Sequence, residues 1–242
     1  MPALSARLDG VKKRLGANQA LDGLSTSFEP GRLHGIIGPD GAGKTTLLRH
    51  LVGLLRPDSG TLQWSRDGAP TPFPAIRARV AYMPQTQSLY GDLTVGEHMD
   101  FFAEMYSLEE EDYRARRAQL LRITRLDRFT DRPASKLSGG MYKKLGLMCA
   151  LLADPDALLL DEPTNGVDPV SRREFWELLM ELLKKRILIL VATAYMDEAE
   201  RCDVVHLLNK GRILAAGEPR ELLAKAGARR FDELFLAPGA AA

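Results

Sequence analysis

The segment Gly38-Pro39-Asp40-Gly41-Ala42-Gly43-Lys44-Thr45 leaves this chain few folds to choose from, because it lies between a short apolar run, Leu33–Ile37, and a helix-periodic stretch from Thr46 to Leu55. A buried strand that turns through a glycine-rich loop into a helix belongs to an α/β fold with a mainly parallel sheet. Glycines at 38, 41 and 43 let backbone N–H groups face a single anion without Cβ interference, and the helix directs the positive end of its dipole at the same point. Gly38 through Thr46 are therefore read as the seat of a nucleoside triphosphate. Lys44 is placed to bridge its β and γ phosphates, and Thr45 to ligate Mg²⁺.

Two later segments narrow the chemistry. Leu158-Leu159-Leu160-Asp161-Glu162-Pro163 ends an apolar run in adjacent carboxylates. Asp161 is suited to holding the metal, and Glu162 to taking a proton from an attacking water. Leu137-Ser138-Gly139-Gly140 lies upstream, with Ser138 where a helix N-cap would sit. The three segments in this order point to an ATPase rather than to a generic phosphate binder.

At 242 residues there is room for one large domain, with or without a small subdomain. A net charge of +1 gives no support for nucleic acid as the main partner. Cys149 and Cys202 are too few for a disulfide framework, which predicts a reduced cytoplasmic setting and two buried small hydrophobes. No apolar run approaches the ~20 residues needed to cross a bilayer. The first residues also lack the apolar core of a signal peptide. Membrane association is therefore expected through another chain or through sequence beyond this one.

Beyond the phosphate loop, strands are predicted at 80–83, 157–160 and 187–192, with a hairpin of 204–208 and 212–215 joined by Asn209-Lys210-Gly211. Helices are expected from Ser138 to Ala153 and from Ser171 to Lys185. The stretch from Thr94 to Leu126 reads as a helical insertion with Phe101, Phe102, Met105 and Tyr106 on one face. Thr26–Phe28 belongs to a β-rich opening segment, and no internal repeat is visible.

Over essentially its whole length the chain resembles the nucleotide-binding subunits of ABC transporters. The resemblance implies a P-loop ATPase core, an N-terminal antiparallel β subdomain and an inserted helical subdomain at about 86–155. Together these form one ATP-binding domain at 1–236, with 237–242 a disordered tail or linker. It implies ATP and Mg²⁺ as cofactors. The implied partners are a second nucleotide-binding domain, in a homo- or heterodimer or in tandem on a longer gene product, and a membrane-spanning permease. The place implied is cytoplasmic, peripheral at the inner face of the membrane. In that head-to-tail pairing, Ser138, Gly139 and Gly140 would meet the γ-phosphate held by the partner's phosphate loop. Gln85 resembles the glutamine that senses Mg²⁺ and the attacking water. Asn165-Gly166-Val167-Asp168 resembles the loop that crosses the interface, with Asp168 its acid. Tyr82–Gln85, Leu89–Val95 and Phe231–Leu236 are similar to the drug-exporter branch, where some subunits carry two such domains; this chain is similar to the first of a pair.

Two positions depart from the family. Where it places a histidine that reaches the γ-phosphate, this chain has Thr193-Ala194-Tyr195, and Ala194 has no donor. Where an aromatic stacks on adenine, it has Leu15. The first departure predicts slow or asymmetric hydrolysis with ATP binding retained. Either Thr193 or Tyr195 substitutes in part, or a second, complete domain supplies the active site. Asp40, where the family often has Asn, is expected to turn outward, towards the dimer interface. Two other classes compete: a soluble ABC protein acting on ribosomes or nucleic acid, and an ATP-dependent clamp that scarcely hydrolyses. Near-zero charge and the absence of long coiled-coil heptads oppose the first. Ala194 favours the second and Glu162 opposes it.

Overall fold

The computed structural model describes residues 3–86 and 89–236, so the predicted tail at 237–242 lies outside the described residues. The chain opens with β1 (Leu4–Leu15) and β2 (Asn18–Phe28), an antiparallel pair, followed by β3 (Leu33–Ile37), the phosphate loop and α1 (Lys44–Leu51). Strands β4 (Ser59–Arg66) and β5 (Ala69–Thr71) return to the first pair and complete an antiparallel sheet of order β2-β1-β4-β5. After α2 (Phe73–Ile76) come β6 (Val80–Met83) and three helices, α3 (Val95–Met105), α4 (Glu110–Thr124) and α5 (Gly139–Leu151). The chain then runs through β7 (Ala157–Asp161), α6 (Pro169–Leu183), β8 (Leu188–Thr193) and a 3₁₀ turn at Met196–Arg201. It closes with the hairpin β9 (Val204–Asn209) and β10 (Arg212–Gly217), then α7 (Pro219–Ala226) and α8 (Phe231–Leu236). The second sheet has the order β10-β9-β3-β8-β7-β6 and is parallel except for β10.

Every residue of β3, β7 and β8 is buried, because this sheet is covered on both faces. The two-residue period of the strands sorts their side chains. Leu158, Leu160, Ile189 and Val191 join α5 and α6 in one core, while Ala157, Leu159, Leu188 and Leu190 join α1 and the antiparallel sheet in the other. The resulting layers clamp the strand that feeds the phosphate loop from both sides.

The helical insertion is two helices rather than one periodic run. Helix α3 starts at a reciprocal capping box between Thr94 and Glu97, and Ser107, in left-handed backbone at φ 52°, separates it from α4. Helix α6 begins two residues earlier than its periodicity predicts, because Asp168 caps it and Pro169 occupies its first turn. Helix α1 runs from Lys44 to Leu51 rather than from Thr46 to Leu55, ending before the left-handed Gly53. The predicted apolar face of α3 looks outward in part. Phe101, Met105 and Tyr106 are exposed, and Phe101 stacks edge-on with Tyr90 and with Phe102. Cys149 and Cys202 are free and buried, as predicted.

Candidate functional site

Strands β3, β8 and β7 are neighbours, so their carboxyl ends bring Gly38, Thr193 and the Asp161–Glu162 pair to one edge. The backbone ties them together: Gly38 N donates to the Thr193 carbonyl at 3.3 Å, and Glu162 N to the Ala192 carbonyl at 2.8 Å. Gly43 ends the loop at φ 108°, and a Cβ there would lie 2.5 Å from the Ala20 carbonyl oxygen, so only glycine fits. Lys44 follows it into α1 and is buried. Its ammonium donates to the carbonyls of Gly38 (2.9 Å) and Pro39 (3.2 Å) and pairs with Glu162 Oε1 at 3.1 Å.

Thr45 Oγ1 donates to Asp161 Oδ1 at 3.1 Å, and the Tyr82 hydroxyl donates to Asp161 Oδ2 at 3.2 Å. Burial raises the Asp161 pKa above the usual carboxylate value, against the pull of those two hydroxyls and of Lys44. Burial, aided by the charge of Asp161, pushes the Tyr82 phenol up to about 12. Glu162 sits in left-handed backbone at φ 49°, a conformation that costs a side-chain-bearing residue about 1 kcal/mol or more and that aims its carboxylate back at Lys44.

Lys44, Thr45 and Glu162 border a cavity of about 680 Å³. It is lined by Asp40 through Thr46, Gln85 and Glu162, together with Leu15, Ala17 through Ala20, and Lys210. Of the residues expected from sequence, Gly38 and Pro39 lie beneath the cavity as acceptors for Lys44, and Asp161 stands behind Thr45. The Asp40 side chain is 96% exposed, yet its Oδ1 stays 3.9 Å from the Lys44 ammonium and the residue lines the cavity. Ser138, Gly139, Gly140 and Asp168 do not line the cavity. Ser138 is exposed and caps α5 by accepting from Met141 N at 3.3 Å. Gly140 is buried against α6, where a Cβ would come within 2.4 Å of Ser171 Cβ. Asp168 accepts from Val170 N (3.1 Å) and Ser171 N (3.0 Å), and the Ser171 contacts hold its carboxyl below the usual range.

Neither side chain offered in place of a donor at Ala194 reaches the cavity. The Thr193 hydroxyl accepts from Tyr195 N at 3.0 Å. Tyr195 lies 4.4 Å beneath the Arg172 guanidinium and bonds Asn165 Oδ1 at 3.4 Å. The structure also adds residues that sequence reasoning passed over. Tyr82 was read as part of a strand and of a family-like segment, with no role at the site, and Lys210 only as a hairpin turn. Lys143, on α5, donates to the Gln85 carbonyl at 3.1 Å. Burial lowers its pKa, opposed by the charges of Glu162 and Asp161.

The Thr45 hydroxyl beside the Asp161 carboxylate is a hard-oxygen pair that suits a divalent cation completed by phosphate and water, the coordination Mg²⁺ favours. Among the described residues there is no group of three or more His, Cys, Asp or Glu that could hold a metal ion without such help. Nor is any helix among them long and apolar enough to cross a membrane.

Residues 21–165 match the sequence model of the family described as ABC transporter. The chain is 46% identical over 232 residues to the probable multidrug ABC transporter ATP-binding protein YbhF of Escherichia coli, covering 93% of this chain and 39% of that protein. It is 42% identical over 223 residues to the Nod factor export ATP-binding protein I of Ralstonia nicotianae, covering 92% and 69%. A solved ATP-binding subunit of an ABC transporter superimposes with a TM-score of 0.82 at 32% identity, covering 96% of this chain and 98% of that one. The chain thus spans well under half the length of the E. coli relative.

Proposed function

The chain belongs to the ABC transporter family, and from that premise we propose that it binds and hydrolyses ATP with Mg²⁺ to power a membrane exporter. The observation that carries the proposal is the convergence of Lys44, the Thr45–Asp161 pair and Glu162 on one cavity at the carboxyl edge of a parallel sheet. Backbone N–H groups from Gly41 to Thr46 and the α1 dipole hold the phosphates, and Lys44 bridges β and γ. Thr45 and Asp161 would hold the metal, with Gln85 a further candidate ligand, and Mg²⁺ bound there would neutralise charge on the phosphates and orient them. Glu162 takes the proton of the attacking water. Its ion pair with Lys44 competes with phosphate for the same ammonium, so nucleotide binding frees the carboxylate to act as a base.

Residues 1–236 act as one ATP-binding domain, with 86–155 its helical subdomain. Ser138 and Gly139 are exposed at the start of α5, where they can complete the site of a second nucleotide-binding domain docked head to tail; Gly140 contributes backbone only, and Asp168 shapes the adjoining loop. The exposed rings of Tyr90, Phe101 and Tyr106 with Met105 offer an apolar face to a permease, which would hold the chain at the inner surface of the membrane. The names of the E. coli relative, a multidrug transporter protein, and of the Ralstonia relative, a Nod factor export protein, favour transport over a role on ribosomes or nucleic acid, and the second favours export. Replacing Glu162 by Gln tests the scheme. With ATP the variant should elute as a dimer and hydrolyse about 10²- to 10⁴-fold more slowly than the parent. A variant that stays monomeric with ATP and hydrolyses at the parental rate refutes it.

The Ala194 site favours one refinement, slow turnover. Neither Thr193 nor Tyr195 lines the cavity to stand in for the missing donor, and the clamp reading is the limit of that effect.

A further inference from the structure

Lys210 occupies the tip of the β9–β10 hairpin, in left-handed backbone at φ 45°. The tip is fastened to the rest of the fold. Gly211 N donates to the Ala42 carbonyl at 2.9 Å, and the Gly211 carbonyl accepts from Asp22 N at 2.9 Å. A Cβ on Gly211 would lie 2.8 Å from both the Ala20 carbonyl and Leu21 Cα, so the turn packs directly on β2 and the phosphate loop. The next residue, Arg212, pairs with Asp22 at 2.6 Å. A cation is thereby carried by a braced turn to the wall of the cavity that Lys44 also lines.

The two lysines stand at different places. Lys44 pairs with Glu162, while the Lys210 turn meets Ala42, Gly43 and Ala20, and shares the cavity lining with Leu15. We propose that Lys210 is a nucleotide-binding residue whose ammonium contacts the α-phosphate and ribose end of the bound nucleotide. This rests on reading the cavity as the ATP site. It also answers the departure at Leu15. A leucine that is 42% exposed offers no ring for stacking, so affinity shifts from the base towards the charged part of the ligand, where a second cation is effective.

The test uses Lys210→Asn, since asparagine tolerates left-handed backbone and keeps the hairpin while removing the charge. Calorimetric titrations with ADP, GDP and a non-hydrolysable ATP analogue should each show affinity weakened by the same factor, about 5- to 10-fold. The loss should shrink at high ionic strength, as expected of a partly screened contact. Lys210→Arg should bind ADP within about twofold of the parent, because it keeps the charge. Parental ADP affinity in Lys210→Asn overturns the assignment. So does a loss confined to the ATP analogue, which would put the ammonium at the γ-phosphate, or a loss for ADP without one for GDP, which would put it at the base. If Lys210→Asn lowers the melting midpoint without nucleotide, Lys210→Arg decides: restored affinity supports the contact and unrestored affinity refutes it. A parental protein that binds none of the three nucleotides would instead refute the ATP site itself.

Discussion

Replacing Ala194 by histidine should raise the rate of the chemical step by about 10-fold at least and by as much as about 1000-fold. The magnitude follows from how tightly the surrounding backbone is fixed. The end of β8 is bonded on one side to the phosphate loop, through Gly38 N and the Thr193 carbonyl, and on the other to the base, through Glu162 N and the Ala192 carbonyl. Position 194 is the next residue along, half-buried, and its neighbours Thr193 and Tyr195 are held by contacts away from the cavity. One preorganised donor to a group that gains charge in the transition state is worth about 2.7–4 kcal/mol, or 10²- to 10³-fold. A grafted imidazole whose orientation no neighbour was shaped to fix should supply at least about 1.4 kcal/mol, a tenfold gain. Single-turnover hydrolysis with enzyme in excess over ATP is the proper assay, because product release then cannot mask the chemistry. ATP affinity, measured separately, should stay within about twofold, since the donor acts on the transition state more than on the ground state. A folded Ala194→His variant with parental affinity and no gain in rate would refute the idea that this position limits turnover.

Two further outcomes concern stability. Glu198 is fully buried, and its Oε1 accepts from Thr164 Oγ1 (2.7 Å), Arg172 Nε (2.8 Å) and Trp176 Nε1 (2.9 Å), so Glu198→Ala strands three donors at once. The cost should be about 3 kcal/mol, at the lower end for a broken buried pair because Arg172 keeps Asp197, and calorimetry should show it as a melting midpoint lower by about 6–12 °C. His34 and His206 form a buried chain, Nδ1 to Nε2 at 3.1 Å, continued by Thr26 Oγ1 at 2.8 Å from His206 Nδ1. Burial lowers both pKa values, that of His206 to about 3. Above pH 6.5 both rings are neutral whether the chain is folded or not, and they contribute no pH dependence. As the pH falls below 6.5 the unfolded chain takes up protons that the fold refuses, so stability drops towards a limiting slope of about 1.4 kcal/mol per unit from His206, and His34 adds to the loss in the same direction. Urea midpoints between pH 6.5 and 5, above the range where most carboxylates titrate, should fall as the pH falls, and His206→Phe should flatten the dependence; an equal slope in that variant refutes the assignment.

How much of this could be read from the chain depends on the range of the cause. Strands β3, β6, β7, β8 and the β9–β10 hairpin begin and end within two residues of the predicted limits; in β3, β7 and β8 burial on both faces writes itself as an unbroken apolar run, and turn residues bound β6 and the hairpin. The N-terminal sheet was legible only as β-rich. Strand β1 slips register between Leu8 and Val11, around left-handed Gly10, so its alternation reverses partway and no single period describes it. The helical insertion was legible as a helical region but not its division at Ser107, because the polar periodicity runs across that residue and nothing in a serine announces left-handed backbone. At the site, Lys44, Thr45, Asp161 and Glu162 were legible because each sits at a fixed offset from a strand end, and geometry follows from that offset. Lys210 was not, because its approach depends on Gly211 meeting Ala42 and Asp22 across elements distant in sequence. Glu198 was hidden in the same way: its three donors come from the loop after β7 and from α6, and only the packed fold brings them to one oxygen. Local causes place the phosphate-binding machinery, whereas the residues that tune its affinity and hold the loop beside it are set by tertiary approach. Substitutions at Lys210 and Glu198 should therefore change the protein's behaviour while leaving every recognisable motif intact.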